Sequence, residues 1–132
     1  LRRAERRWAA WVRDGDVQLL AGTTLLHTDL APDDVLVTGG RAHLVDWTQA
    51  TVGAAWIDPA LLILRLMEAG HGARDADAWA REQFASWAAA PRAGVGVFSE
   101  ANSRVENARS GREGVARAAG EWARYWRSAP PR

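Results

Sequence analysis

The chain has no cysteine. Disulfides, thiolate metal sites and a cysteine nucleophile are therefore excluded, and the composition fits a reducing compartment, so a cytoplasmic location is expected. It has no lysine either, since all 17 basic residues are arginine. The single methionine is Met67, and the sequence opens at Leu1 within a helix-like apolar pattern rather than at an initiator. No apolar run approaches the roughly 20 residues that a membrane span needs. The arginine-rich N-terminus has no apolar core segment of the kind a signal peptide requires. A net charge of +1 gives no electrostatic case for a nucleic-acid partner.

What remains is a globular composition. Hydrophobic residues make up 48% and charged residues 25% of 132 residues, enough for one domain with a core, here taken as 1–132. Leu1, Ala4, Trp8, Trp11 and Val12 recur at helical spacing and predict a helix over Leu1–Arg13, with Arg2, Arg3, Arg6 and Arg7 mostly on its other faces, read as a solvated face in preference to a basic patch for anions. Val35–Thr38 and Arg41–Val45 are β-type runs joined by Gly39-Gly40, a strong hairpin signal because both glycines accept positive φ. The turn sets a register with Thr38 opposite Arg41, Leu36 opposite His43 and Val35 opposite Leu44. Thr48–Ile57 reads as a loop. Asp58-Pro59 reads as an N-cap and first helical residue, opening a buried helix over Pro59–Ala69 that Gly70 ends. Further helices are expected from Asp75 or Asp77 to about Ala89 and over Val97–Ala108, after a break at Pro91–Gly96. A last stripe of Val115, Ala119, Trp122 and Trp126 precedes a fraying tail over 128–132.

The acidic residues cluster around the hairpin. His27-x-Asp29 is followed by Pro32 and Asp34, and Asp46-Trp47 lies just past the second strand. Extending the register sets Asp34 and Asp46 at the same open end. Strict alternation would turn them to opposite faces, so a shared ion requires the backbone to leave the ladder there. Phosphoryl transfer needs such a set: one carboxylate to take or orient the proton of an attacking hydroxyl, and hard oxygen ligands for Mg²⁺ beside the phosphates.

The stretch Leu26-His27-Thr28-Asp29-Leu30-Ala31-Pro32-Asp33-Asp34-Val35-Leu36-Val37, with Val45-Asp46-Trp47 and Ile57-Asp58-Pro59-Ala60, resembles the C-terminal lobe of the aminoglycoside phosphotransferase and choline kinase group. These are protein-kinase-like small-molecule kinases. The resemblance implies an α+β fold, mostly α-helical, with one short β-hairpin carrying the site. It implies ATP as phosphoryl donor, Mg²⁺ as metal and a small-molecule hydroxyl as acceptor. Asp29 would be the catalytic base and His27 would orient its loop. Asp34 and Asp46 would be the metal ligands, and Asp58 would cap the buried helix and shape the floor of the site.

The pattern departs from the family at several points. Thr28 stands where glycine is common, Ala31 where a polar residue is frequent, and Asp34 where the family carries asparagine. Aspartate can ligate Mg²⁺ but has no amide N–H₂ to donate, and it adds a negative charge beside two others. No lysine and no glycine-rich strand–loop–strand precedes Asp29. The expectation is a catalytic lobe without its N-terminal nucleotide-covering lobe, inactive alone, with apolar surface left open around the hairpin.

Simpler assignments compete. Asp33 reads as a solvated turn residue, His43 and His71 as surface residues, and the tryptophans as core, with Trp47 and Trp56 flanking the site. The rival functions are a non-catalytic kinase-derived binding domain, a metal-dependent phosphohydrolase built on His27 and Asp29, and an arginine-rich nucleic-acid binder.

Overall fold

The structure is a computed structural model that describes residues 1–109 and 111–128. It is α+β and mostly helical. The elements run β1 (Arg2–Arg3), α1 (Ala4–Arg7), two 3-10 segments (Ala9–Trp11 and Asp14–Leu20), β2 (Thr24–Leu26), a 3-10 turn (Pro32–Asp34), β3 (Val35–Thr38), β4 (Arg41–Leu44), β5 (Thr51–Gly53) and helices α2 (Ile57–Glu68), α3 (Ala73–Gln83), α4 (Ala85–Ala88), α5 (Arg92–Asn107) and α6 (Glu113–Ser128).

The hairpin β3–β4 has the register set by its turn, with Thr38 opposite Arg41, Leu36 opposite His43 and Val35 opposite Leu44. Gly39 and Gly40 have φ of 58° and 75°, the mirror-image turn that matches strand twist. Leu36, Val37 and Leu44 stand exposed on it.

It is not the only sheet, contrary to the single hairpin expected. β5 lies in the segment read as a loop and forms the centre of a three-stranded sheet, antiparallel to β2 and parallel to β1. The N-terminal helix is shortened for the same reason. Arg2 and Arg3 pair with Thr51 and Val52, so the α-helix occupies only Ala4–Arg7. Ala4 and Trp8 are buried as their spacing suggested, but Leu1 is exposed. The close fit depends on glycine. A Cβ at Gly22 would stand 2.4 Å from the Gly53 carbonyl oxygen, and one at Gly53 would stand 2.5 Å from Ala4 Cβ.

α2 is central. Ile57, Ala60 and Ile63 are fully buried; each large aliphatic side chain of this kind contributes about 1.5–3 kcal/mol. The helix starts two residues before Pro59, whose missing N–H falls in the first turn where it has no intrahelical partner anyway. It ends in a paired motif: Gly70 (φ 111°) donates to Met67 O at 3.0 Å and His71 donates to Leu66 O at 3.0 Å.

Two further boundaries differ from expectation. α3 begins at Ala73 and yields at Phe84 to the short α4, so Asp77 sits inside a helix rather than capping one. Asp77 is buried and accepts from Arg81, from Trp87 Nε1 at 2.9 Å and from the Tyr125 hydroxyl at 2.8 Å. α5 runs unbroken through the expected gap from Arg92. Gly94 serves close approach there, since a Cβ would stand 2.9 Å from the Trp56 ring.

The core holds two aromatic groups. Trp8 and Trp56 both meet Phe98 edge-on, and Trp87, Trp122, Tyr125 and Trp126 form a second cluster where α6 packs. The tail expected to fray over 128–132 lies, beyond Ser128, outside the described residues. Among the described residues no helix is long and apolar enough to cross a membrane.

Candidate functional site

The loop after β2 is fastened to distant parts of the chain. His27 is fully buried. Its Nδ1 accepts the backbone N–H of Asp29 at 3.1 Å, so the neutral ring carries its proton on Nε2, which donates to Val45 O at 2.7 Å. The Trp47 ring meets the imidazole edge-on at 4.9 Å. His27 thus spans the Asp29 loop and the end of β4 as a loop organiser.

Asp58 fixes the same loop from below. Its carboxylate accepts the N–H of His27 at 2.7 Å and of Thr28 at 2.9 Å. It does not cap α2: Trp56 occupies the N-cap position and no side chain caps that end. The expected capping role is therefore corrected. An acidic side chain in the first turn of α2 has two backbone donors from another segment to satisfy, and these outcompete its own helix.

Thr28 has φ of 65°, a left-handed conformation that a β-branched residue rarely adopts. Three contacts hold it there. Asp58 binds its N–H, its hydroxyl donates to Gln49 O at 2.7 Å, and Arg7 Nη1 donates to its hydroxyl oxygen. Arg7 Nη1 also reaches Gln49 O at 3.0 Å and the Thr51 hydroxyl at 2.9 Å. Arg7 is thus not on a solvated face. Burial, and then the charges of Arg2 and Arg109, lower its pKa to about 10, opposed by Asp29 and Asp58; it stays a cation at neutral pH.

Asp29 follows this anchor and lines a cleft of about 420 Å³ between the loop, α2 and α5. Arg65 Nη2 stands 3.8 Å from its Oδ1. A second space of about 460 Å³ adjoins it and shares Asp29, Arg65, Glu68 and Arg112. Asn102 and Glu106, one turn apart on α5, are buried residues on the wall of the first cleft. Neither Trp47 nor Trp56 lines either space. Trp56 is core and Trp47 is partly exposed, donating its indole N–H to Leu44 O at 3.1 Å.

At the open end of the hairpin the backbone leaves the ladder on both strands. Pro32–Asp34 forms a 3-10 turn, and Asp46 adopts φ of 59°. The last bond across, Val45 N–H to Asp34 O at 2.8 Å, sets Asp46 one residue beyond Asp34's partner. Asp34 is only 8% exposed, yet its carboxylate receives no hydrogen bond from the described residues. Neither carboxylate oxygen is sealed from solvent, so a cation can reach the group. Asp46 Oδ1 accepts the Thr48 hydroxyl at 2.8 Å. Mg²⁺ is commonly held by one or two carboxylates together with water and phosphate oxygens, and Asp34 and Asp46 are the carboxylates at this end of the hairpin. Among the described residues no group of three or more His, Asp or Glu side chains is placed to hold a metal.

Sequence reasoning identified the acidic positions and missed Arg7, Gln49, Arg65, Asn102 and Glu106. The arginine-rich N-terminus carried a signal for Arg7 only if its strand partner had been known. The α5 residues reach the cleft from more than 70 positions away, as Asn102 against Asp29 illustrates, and no local pattern marks them.

A family model described as a phosphotransferase enzyme family matches residues 1–94, a span that contains the whole acidic cluster. No curated protein matches, and no solved structure matches.

Proposed function

From the premise that the chain belongs to the phosphotransferase enzyme family, we propose that it is the protein-kinase-like catalytic lobe of an ATP-dependent small-molecule kinase. The observation that carries this reading is the placement of Asp29. It follows a loop pinned by His27 and Asp58 and borders a cleft with room for a small acceptor. In this reading Asp29 takes or orients the proton of the acceptor hydroxyl. The hydroxyl oxygen forms a bond to the γ-phosphorus as the bond to the β-bridging oxygen breaks, leaving ADP and the phosphorylated acceptor. Asp34 and Asp46 would hold Mg²⁺, which when bound neutralises charge on the phosphate oxygens. His27 keeps the loop in place and moves no proton of the reaction. ATP supply sets the workplace of such an enzyme in the cytoplasm.

The nucleotide-covering loop and the strand lysine of a kinase have no counterpart in these residues. The reading assigns them to a lobe outside the sequence. This lobe alone is therefore expected to bind nucleotide weakly and to turn it over poorly. A non-catalytic domain derived from the same scaffold is the second reading, favoured by Asp34 standing where the family's asparagine is expected.

The test is calorimetric titration of Mg²⁺–ATP into the chain, with Asp46→Ala as control. Weak binding that the variant abolishes supports the metal assignment. Binding of equal strength in both proteins rejects it, and no binding to either favours the non-catalytic domain.

A further inference from the structure

The cleft beside Asp29 has an imbalance of charge. Five arginines line it: Arg2, Arg7, Arg65, Arg109 and Arg112. Three carboxylates face them, from Asp29, Glu68 and Glu106. The pairings account for only some of the cations. Arg109 and Arg112 both lie against Glu106, at 3.6 and 3.5 Å. Arg65 is shared between Glu68 at 3.1 Å and Asp29 at 3.8 Å. Arg2 donates to the neutral Gln49 side chain at 2.9 Å. Arg7 donates only to neutral oxygens, and among the described residues neither it nor Arg2 has a carboxylate within ion-pair distance.

Arg7 is also rigid. Its three acceptors fix Nη1, and its guanidinium lies over the Trp8 ring with 4.6 Å to the centroid. A partly buried cation held in place with donors to spare is a preorganised anion receptor. The cleft is not the metal side of the site, because neither Asp34 nor Asp46 lines it. With Asp29 read as the base for the acceptor hydroxyl, a basic wall in this cleft faces the acceptor.

We propose that the acceptor carries an anionic group, a carboxylate or a phosphate ester, that seats against Arg7 and Arg2 while its hydroxyl lies at Asp29. The proposal rests on the reading of Asp29 as the base. It predicts discrimination against cationic acceptors, since an ammonium in this cleft meets a surplus of like charge.

Four three-carbon probes that differ in charge test it on the intact chain: glycerol, 3-amino-1,2-propanediol, glycerate and glycerol 3-phosphate. In calorimetry at low salt, one or both anions should bind at least about tenfold tighter than glycerol, and the amine no tighter than glycerol. Whether glycerate or glycerol 3-phosphate binds better separates the two anionic classes. Added salt should weaken the anions and leave glycerol unchanged. Arg7→Gln should erase the preference. Because Arg7 also braces Thr28, Arg2→Gln serves as a second variant: Arg2 is exposed and its side chain bonds only the Gln49 side chain, so its loss should weaken anion binding without unfolding the chain. Asp29→Asn should tighten anion binding by removing a like charge. Equal binding of all four probes, tighter binding of the amine, or no anion binding up to about 10 mM overturns the proposal. Mg²⁺ titration of the same chain and of Asp46→Ala separates the two ideas. Anion binding without Mg²⁺ binding leaves the receptor standing and removes the kinase reading, whereas Mg²⁺ binding without anion binding does the reverse.

Discussion

The carboxylate of Asp58 accepts the backbone N–H of His27 at 2.7 Å, across 31 residues of chain. With the second bond to Thr28 at 2.9 Å, this one side chain ties the Asp29 loop to the start of α2. Removing it leaves two backbone donors without an acceptor. Asp58→Ala should cost about 3 kcal/mol of stability, while Asp58→Asn, which keeps one carbonyl oxygen, should lose about half as much. Urea unfolding midpoints at unchanged slope measure both. A loss below about 0.5 kcal/mol for the alanine variant would show that the loop holds itself in place.

The Tyr125 phenol has its pKa raised to about 12, first by burial and then by its hydrogen bond to Asp77. The unfolded chain titrates near 10. The folded phenol is therefore the more proton-retentive state. Its contribution is intact below about pH 10 and is lost as pH rises through about 12. Tyr125 is the only tyrosine, so tyrosinate absorbance reads it alone. Its midpoint should lie well above 10 and should fall in Asp77→Asn, though not fully, because burial remains. A midpoint at the ordinary value in the unaltered chain contradicts the buried Asp77 hub.

Two glycines of α5 should respond oppositely to alanine. A Cβ at Gly94 meets the Trp56 ring at 2.9 Å, whereas one at Gly96 meets nothing within 4 Å. Gly96→Ala should stabilise by about 0.5–1 kcal/mol through helix propensity. Gly94→Ala gains the same propensity but overpacks the core, at a cost of about 1–3 kcal/mol, so it should destabilise on balance. Thermal unfolding of the pair decides; a shift of the same sign in both would refute the close approach of Trp56 to the helix.

Asp34 is largely buried, and its carboxylate accepts no hydrogen bond from the described residues, while its backbone carbonyl accepts the Val45 N–H at 2.8 Å. Without metal, Asp34→Asn should change stability by less than about 0.5 kcal/mol, because the carboxylate oxygens reach solvent. With metal the unaltered chain should be the more stable, and the Mg²⁺ affinity of the variant should be lower by at least about tenfold. Stability measured with and without Mg²⁺ reads both effects. Equal Mg²⁺ affinity in the two proteins removes Asp34 from the metal site.

Much of this protein is legible along the chain because the deciding physics is local. Gly39-Gly40 dictates the hairpin turn, and the turn dictates the register of every pair in it. Gly70 stops α2 because only glycine takes φ of 111° without cost. The stripe of Ala119, Trp122 and Trp126 makes α6 amphipathic wherever it packs. His27, Asp29, Asp34 and Asp46 stand out by their joint spacing.

Tertiary structure decided the rest. β5 is three residues long and becomes a strand only because β1 and β2 supply partners on both sides. That pairing draws Arg2 and Arg3 out of the helix their neighbours favour. It also brings Arg7 to Thr28 and Thr51 rather than to solvent. Gly94 reads as a helix breaker until the Trp56 ring is seen against it. Asp58 reads as a cap until its two donors arrive from the loop of His27. The sequence by itself determined where the acidic side chains cluster and where the local turns fall, since these depend on residue type and spacing. Only the folded chain decided the charge of the cleft at Asp29, since that sum is taken over residues that packing alone brings together.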